Sequence, residues 1–203
     1  MPQADYFGLL PAVLQQLRDY PDIVLDWRNG NQQSHADREQ VDVGIRIGPP
    51  PDNGFIVKTI APLHMQTVMS PDLLARLGAP QSVADLQQRY PLLGLVNSNN
   101  GKIFEWEYPE GSFVPERPAF LCNQLDSAFQ ALLHGRAVCQ LSAASLHRYL
   151  KNGSLITVLP EAEMHSDWQL YVYRPKRHQQ TARVKRVFDI LVARLEAYFE
   201  EWE

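Results

Sequence analysis

Apolar positions along this chain recur at two spacings, one helical and one extended. In residues 7–21, FGLLPAVLQQLRDYP, the residues Leu9, Leu10, Val13, Leu14 and Leu17 share one face at helical spacing. Pro11 fits such a helix only in its first turn. Residues 22–29, DIVLDWRN, alternate with the two-residue period of a strand. NQQSHADREQ (31–40) predicts a short polar helix at most, with Asn31 as its cap. VDVGIRIG (41–48) predicts a strand, and its nearly continuous apolar character suits a parallel sheet covered on both faces. FIVKTIAPLHMQTVMS (55–70) is a long extended run interrupted by Pro62.

Further on, Ser70 and Pro71 open a helix as N-cap and first helical residue, and Gly78 closes it. Ser82 and Asp85 form a capping-box-like start to a second helix. PLLGLVN (91–97) predicts a strand, and residues 98–112 a polar, turn-rich loop around Phe104 and Trp106. PAFLCN (118–123) is a strand, residues 126–135 a helix capped by Asp126 and ended at Gly135, and RAVCQLS (136–142) a strand. A helix from Ser142 to Gly153 follows, then strands over 154–160 and 167–175. The last helix starts near Thr181, with Val184, Val187, Phe188, Leu191, Val192 and Leu195 as its apolar stripe. Such alternation of strands and helices predicts an α/β fold with parallel sheets. Two long extended runs, near 61–69 and 167–174, flank the middle third. If both cross between lobes, the chain makes two lobes, one inserted in the other.

The 203 residues suffice for one large domain or two small lobes. Apolar residues make up 45% and charged residues 21%, enough to bury a core. The formal net charge of −4 argues against a domain that grips DNA by itself. No apolar run approaches a membrane span, and MPQADYFGLLP lacks the features of a signal peptide, so the expected location is cytoplasmic. Cys122 and Cys139 sit in apolar, strand-like stretches and form no C-x-x-C pair. They read as two reduced core thiols, with a redox-switching pair as the sharper alternative.

Catalytic constellations are missing from the sequence. There is no nucleophile elbow, P-loop, dinucleotide-binding glycine motif or H-E-x-x-H. The six histidines are scattered, and Glu161 and Glu163 read as solvated turn residues. No catalytic residue, metal ligand or cofactor is assigned, and the chain is not expected to be an enzyme. The basic run 174–186 reads as the solvated face of the last helix rather than a nucleic-acid surface. A more positive signal lies at the strand ends, where open parallel sheets bind ligands beside free helix N-termini. Those ends carry Asn29, Gly30 and Asn31, then Arg46, Asn97 to Asn99, and Asn123 to Asp126, while Gln3, Ala4 and Asp5 lead into the first helix. Each of these alone reads as a turn or cap. Their recurrence after successive strands is what predicts a ligand cleft. Arg46 has two readings, a bidentate grip on a ligand carboxylate or an ion pair with a nearby acid.

The order of segments resembles the effector-binding domain of LysR-type transcriptional regulators. FGLLPAVLQQLRDYPDIVLDW resembles its start, and VDVGIRIGPPPDNGFIVKTIAPL the run that follows. MSPDLLARLGAPQSVADLQQRYPLL, LHGRAVCQLSAASLHRYLKNGSLITVLP and LYVYRPKRHQQTARVKRVFDILVARL match later segments in the same order. The resemblance covers essentially the whole chain, and the series is more specific than any one motif. Three features depart from the family. Its first strand should precede PQADYFG, its winged-helix DNA-binding domain is absent from this chain, and Arg136, Ala137 and Ser142 stand where Gly-rich and Pro residues are common. The chain therefore reads as an excised sensor domain or a truncated protein.

The resemblance implies two Rossmann-like lobes of the periplasmic-binding-protein type 2 kind, joined by two crossover strands. Lobe I would comprise 1–63 plus 172–203, and lobe II 64–171. A small-molecule effector would sit between them. It would contact Gln3, Ala4, Asp5, Asn29, Gly30, Asn31 and Arg46 from the first lobe, and Asn97, Ser98, Asn123 and Gln124 from the second. Asp5 disfavours a purely anionic effector and Arg46 favours one, so an amino acid or another carboxylate with a donor group reconciles them. The resemblance also implies a homodimer or tetramer, with the helices at 7–20 and 126–135 as interface elements, and DNA contact only through the missing N-terminal domain. A stand-alone solute-binding protein of the same fold, a lyase-like enzyme on that fold and a peroxide-type redox sensor are the rival readings.

Overall fold

The computed structural model describes residues 9–28, 41–48, 54–98, 100–162, 164–176 and 181–200. Contacts divide the chain into two compact units, Met1–Leu63 with Asp167–Glu203, and His64–Ser166. Two long strands belong to both. Strand β2 (Phe55–Met69) leaves the first unit at Leu63, and β9 (Met164–Pro175) returns to it at Asp167. This is the expected α/β architecture with two crossover strands.

In the first unit, α1 (Leu9–Gln16) buries Leu9 and Val13, and Leu17 continues that face one turn on. These positions are four apart, so they stack along one side of the helix. Pro11 lies in the first turn, where its missing N–H costs no hydrogen bond. That side packs against α6 (Ala182–Glu200), which buries Phe188, Ile190, Leu191 and Leu195. Strand β1 (Gly44–Gly48) pairs antiparallel with β9, setting Gly44 opposite Tyr173, Arg46 opposite Tyr171 and Gly48 opposite Gln169. Gly44 is required by close approach, since a Cβ there would stand 2.3 Å from the Tyr173 ring. Lys58 on β2 and Glu196 on α6 form an exposed ion pair at 2.7 Å.

The second unit opens with α2 (Pro71–Leu77). Ser70 Oγ caps it by accepting from the Leu73 N–H at 3.2 Å, and Gly78 ends it by donating to the Leu74 carbonyl. In α3 (Val83–Arg89) the Ser82 hydroxyl accepts from the Asp85 N–H, and the Asp85 carboxylate accepts in turn from the Gln81 N–H at 3.0 Å. Strands β3 (Leu93–Leu95) and β6 (Phe120–Cys122) run parallel, and Leu92 makes a parallel bridge to Val138. Between them in sequence lies the antiparallel hairpin of β4 (Trp106–Tyr108) and β5 (Gly111–Phe113). After α4 (Leu125–Leu133), β7 (Cys139–Ser142) pairs antiparallel with β2. Then come α5 (Ala143–Lys151), the short β8 (Ile156–Thr157), which also pairs with β2, and a single 3-10 turn at Pro160–Ala162. Leu73, Leu86, Leu93, Phe129, Leu132 and Leu146 are essentially inaccessible and form the core. Each such side chain contributes roughly 1.5–3 kcal/mol on leaving water.

Several local expectations change. The strand at 41–48 pairs antiparallel and is mostly half-buried rather than sealed on both faces. Residues 23–28 keep the burial alternation of a strand but join no ladder. The loop at 98–112 contains β4 and the start of a hairpin, because Trp106, Tyr108 and Phe113 bring their rings together. Helix α4 starts one residue before Asp126, with Gln124 at the N-cap and no side-chain cap bond. Only two residues of 154–160 are strand, since Leu159 turns the chain with a left-handed φ of 54°. The polar segment 31–40 lies outside the described residues.

Candidate functional site

Arg46 projects from the middle of β1 between two glycines on the same face of the strand. Neither Gly44 nor Gly48 carries a side chain to crowd it. The space over Gly44 is taken by the Tyr173 ring, and the Arg46 Nε lies 3.8 Å from where a Gly48 Cβ would stand. Tyr171 and Tyr173, both nearly buried, face it from β9. The Arg46 Nε is buried and has no hydrogen-bond partner among the described residues. Burial pushes the Tyr173 phenol above its ordinary value, and the positive charge of Arg46 partly offsets this. Of the two readings for Arg46, the ion pair with a neighbouring acid has no counterpart among the described residues. An always-charged guanidinium with an unused, desolvated donor is suited to receiving an anion.

In the second unit, the parallel pairing of β3 and β6 sets their carboxyl ends side by side. Leu95 is opposite Cys122, and the Val96 N–H donates to the Cys122 carbonyl at 2.7 Å. Asn97 and Ser98 follow one strand, and Asn123 and Gln124 follow the other. The structure thus brings these four predicted residues to one edge. Asn97 starts a turn whose carbonyl accepts from the Gly101 N–H at 2.8 Å. Ser98, Asn123 and Gln124 are exposed, and Gln124 leads directly into α4. Parallel strand ends beside a helix start offer donors, acceptors and free N–H groups together. The other predicted contacts, Gln3, Ala4, Asp5, Asn29, Gly30 and Asn31, lie outside the described residues.

A buried polar cluster in the second unit escaped the sequence reading. Gln140 on β7, 6% exposed, accepts from the Glu107 N–H and donates to the Glu107 carbonyl, both at 2.8 Å. Its ladder partner Thr67 shares a 2.8 Å hydrogen bond with the Tyr108 hydroxyl. Burial pushes the Tyr108 phenol up to about 12. One signal was present in the sequence: a glutamine inside the otherwise apolar AVCQL. The two thiols are free. Cys139 is fully buried, and burial pushes it far above its ordinary value, while half-buried Cys122 is also raised. Neither environment favours the reactive thiolate. An open groove of about 320 Å³ lies elsewhere in the first unit, between the residues after α1 and the start of α6, and contains none of the predicted contacts. Among the described residues, no helix is long and apolar enough to cross a membrane.

Residues 3–196 match the family model described as the LysR substrate binding domain. Among curated proteins, the chain is 26% identical over 191 residues to the HTH-type transcriptional regulator PgrR of Escherichia coli, covering 92% of this chain and 62% of that protein. It is also 26% identical over 186 residues to an HTH-type transcriptional regulator of Xanthomonas campestris, covering 87% and 52%. The chain thus spans about half to two thirds of the curated relatives it matches. Among solved structures, the regulatory domain of CrgA from Neisseria meningitidis superposes with a TM-score of 0.81 at 22% identity, over 96% of this chain and 95% of that one. The regulatory domain of AphB from Vibrio vulnificus gives 0.76 at 20% identity, over 94% and 93%. These likenesses establish the periplasmic-binding-protein-like fold of the regulatory domains. The curated relatives named here are transcriptional regulators rather than enzymes. With nearly every residue inside the matched span, the chain belongs to the LysR substrate binding domain family.

Proposed function

We propose that this chain is the ligand-sensing part of a LysR-type regulator of transcription, in which a small-molecule effector changes how a linked winged-helix domain grips DNA. The match over residues 3–196 carries the reading. The names of the curated relatives favour it over a stand-alone solute-binding protein. The effector contacts are Arg46 from the first unit and Asn97, Ser98, Asn123 and Gln124 from the second, together with Gln3, Ala4, Asp5, Asn29, Gly30 and Asn31. The unpartnered Arg46 Nε supports a carboxylate-bearing effector, an amino acid being one candidate. The effector acts by linkage, shifting the population toward whichever arrangement binds it better. The assembly is a homodimer or tetramer that uses α1 and α4. The raised thiols argue against the redox rival.

A thermal-shift screen tests this reading. The purified chain is heated with amino acids, aromatic acids and sugar acids, and the hits are repeated on Arg46→Ala. An effector at about a hundred times its dissociation constant should add roughly 2.7 kcal/mol of stability. The expected result is a carboxylate hit that the substitution abolishes. A hit that survives Arg46→Ala removes Arg46 from the site. Turnover of the hit to a new product would overturn the sensor reading.

A further inference from the structure

Directly after Asn97 the chain doubles back on β3. The Asn97 carbonyl accepts from the Gly101 N–H at 2.8 Å, and Gly101 supplies the left-handed φ of 71° that the reversal needs. The Asn100 Oδ1 accepts from the Lys102 N–H at 2.9 Å, and the Lys102 carbonyl accepts from the Asn97 N–H at 2.8 Å. Val96 and Ile103 make an antiparallel bridge, so Asn97 and Lys102 stand opposite each other with their side chains on one face. Ile103 lies on the other face, where a Cβ on Gly94 would stand 3.2 Å from its Cδ1. The hydrogen bonds also fix the lateral order. The Val96 N–H points to β6, whereas Leu95 and Asn97 bond to the returning segment on the opposite side. Lys102 thus stands two strand spacings, roughly 10 Å, from the end of β6 where Asn123 and Gln124 lie.

The other basic residues of the second unit are placed elsewhere. Arg76 and Arg89 pair with acids of their own helices. Arg117 and Arg136 precede β6 and β7, at the amino ends of those strands, and Arg148 and Lys151 occupy the last turn of α5. Lys102 is exposed, and it is the cation that the fold delivers to the edge shared by Asn97, Ser98, Asn123 and Gln124.

We propose that Lys102 is a specificity-determining residue of this edge and that the effector is a dicarboxylate, with one carboxylate for Arg46 and the other for Lys102. The inference rests on the reading of the chain as a carboxylate sensor and narrows its effector to diacids, acidic amino acids included. An ammonium on a flexible stem holds a carboxylate as a point charge, so it selects for the second negative charge more than for one chain length.

The test compares each diacid with the half-ester that lacks its second charge. Thermal shift and calorimetry follow succinate, L-glutamate, monomethyl succinate and L-glutamate γ-methyl ester on the full chain. A diacid should bind roughly tenfold more tightly than its half-ester, the low end for a charge-assisted hydrogen bond. Lys102→Met should bring the diacid down to the half-ester's affinity and leave the half-ester unchanged, which a merely structural lysine would not do. Lys102→Arg should keep the diacid within about threefold. A diacid held equally well by Lys102→Met overturns this inference and leaves the sensor reading standing. So does an amino acid or aromatic acid with one carboxylate that binds more tightly than either diacid. If no acid of either kind binds, the carboxylate-sensor reading falls and this inference falls with it.

Discussion

At the scale of single residues, capping and charge define where α2 and α3 begin. Ser70 and Ser82 each place a hydroxyl on the N–H three residues on, and Pro71 supplies a helical φ without wasting a donor. Asp85 goes further, because its carboxylate accepts both the Gln81 N–H and the Arg89 guanidinium. The Gln81 bond first, and Arg89 second, hold its carboxyl below the ordinary 3.8. A folded-state value below the unfolded one favours the folded carboxylate, so the contribution is present above the unfolded value and is lost as pH falls through the folded one. Asp26 behaves alike through its bond to Arg28. Carboxyl titration by NMR should therefore give Asp85 a lower midpoint than exposed, unpaired aspartates. Asp85→Asn should remove its share of the acid sensitivity of unfolding. A midpoint for Asp85 at the ordinary value would show that the cap does not persist in solution.

At the scale of elements, the β4–β5 hairpin depends on two side chains from the ladder beneath it. Gln140 replaces a missing strand partner for Glu107, pairing with its N–H and its carbonyl at once. Gln140→Leu keeps the volume but orphans both groups, and leaving a buried polar group unpaired costs about 1–3 kcal/mol. Urea denaturation should show that loss, with fast amide exchange at Glu107; an unchanged exchange rate there would mean that water replaces the glutamine. This hairpin also marks what the sequence could not reveal. The helices were legible because their signals are local: a cap, a period, a closing glycine. The two crossover strands were legible because a fifteen-residue extended run such as β2 is rare in any other role. The hairpin was not, because three rings separated by polar residues become a cluster only after the chain turns at Glu110. The antiparallel direction of β1 was hidden for a similar reason. Its partner β9 lies more than a hundred residues away, and a short apolar run reads alike in either direction. Of the candidate site, residue types at strand ends were legible. What only the folded chain shows is that Asn97, Ser98, Asn123 and Gln124 share one edge, and that the Arg46 Nε has no partner among the described residues.

At the scale of the whole molecule, charge decides what this chain can hold alone. It carries 23 acidic against 19 basic residues, for a formal net charge of −4. Many of those cations are already committed. Arg28, Lys58, Arg76 and Arg89 each pair with a carboxylate. Two arginines of the basic run near the last helix also lie against aromatic rings. The Arg174 guanidinium lies 5.2 Å from the Phe188 ring with two of its nitrogens buried, and the Arg186 guanidinium lies 4.9 Å from the Tyr20 ring. The Arg174 guanidinium, with two nitrogens buried, cannot reach a phosphate without leaving that contact. Non-specific DNA binding needs several free cations along one surface, because its strength comes from counterion release. Binding of labelled duplex DNA, followed by anisotropy at about 0.15 M salt, should therefore be weaker than the roughly 10⁻⁴ M at which non-specific binders begin. The same chain joined to a winged helix should bind, with an affinity that falls steeply as salt rises. Micromolar binding by the isolated chain, with that same steep salt slope, would instead return the 174–186 run to the DNA-contacting surface. Among the described residues of that run, Lys176, Arg183 and Lys185 are exposed and would then account for it.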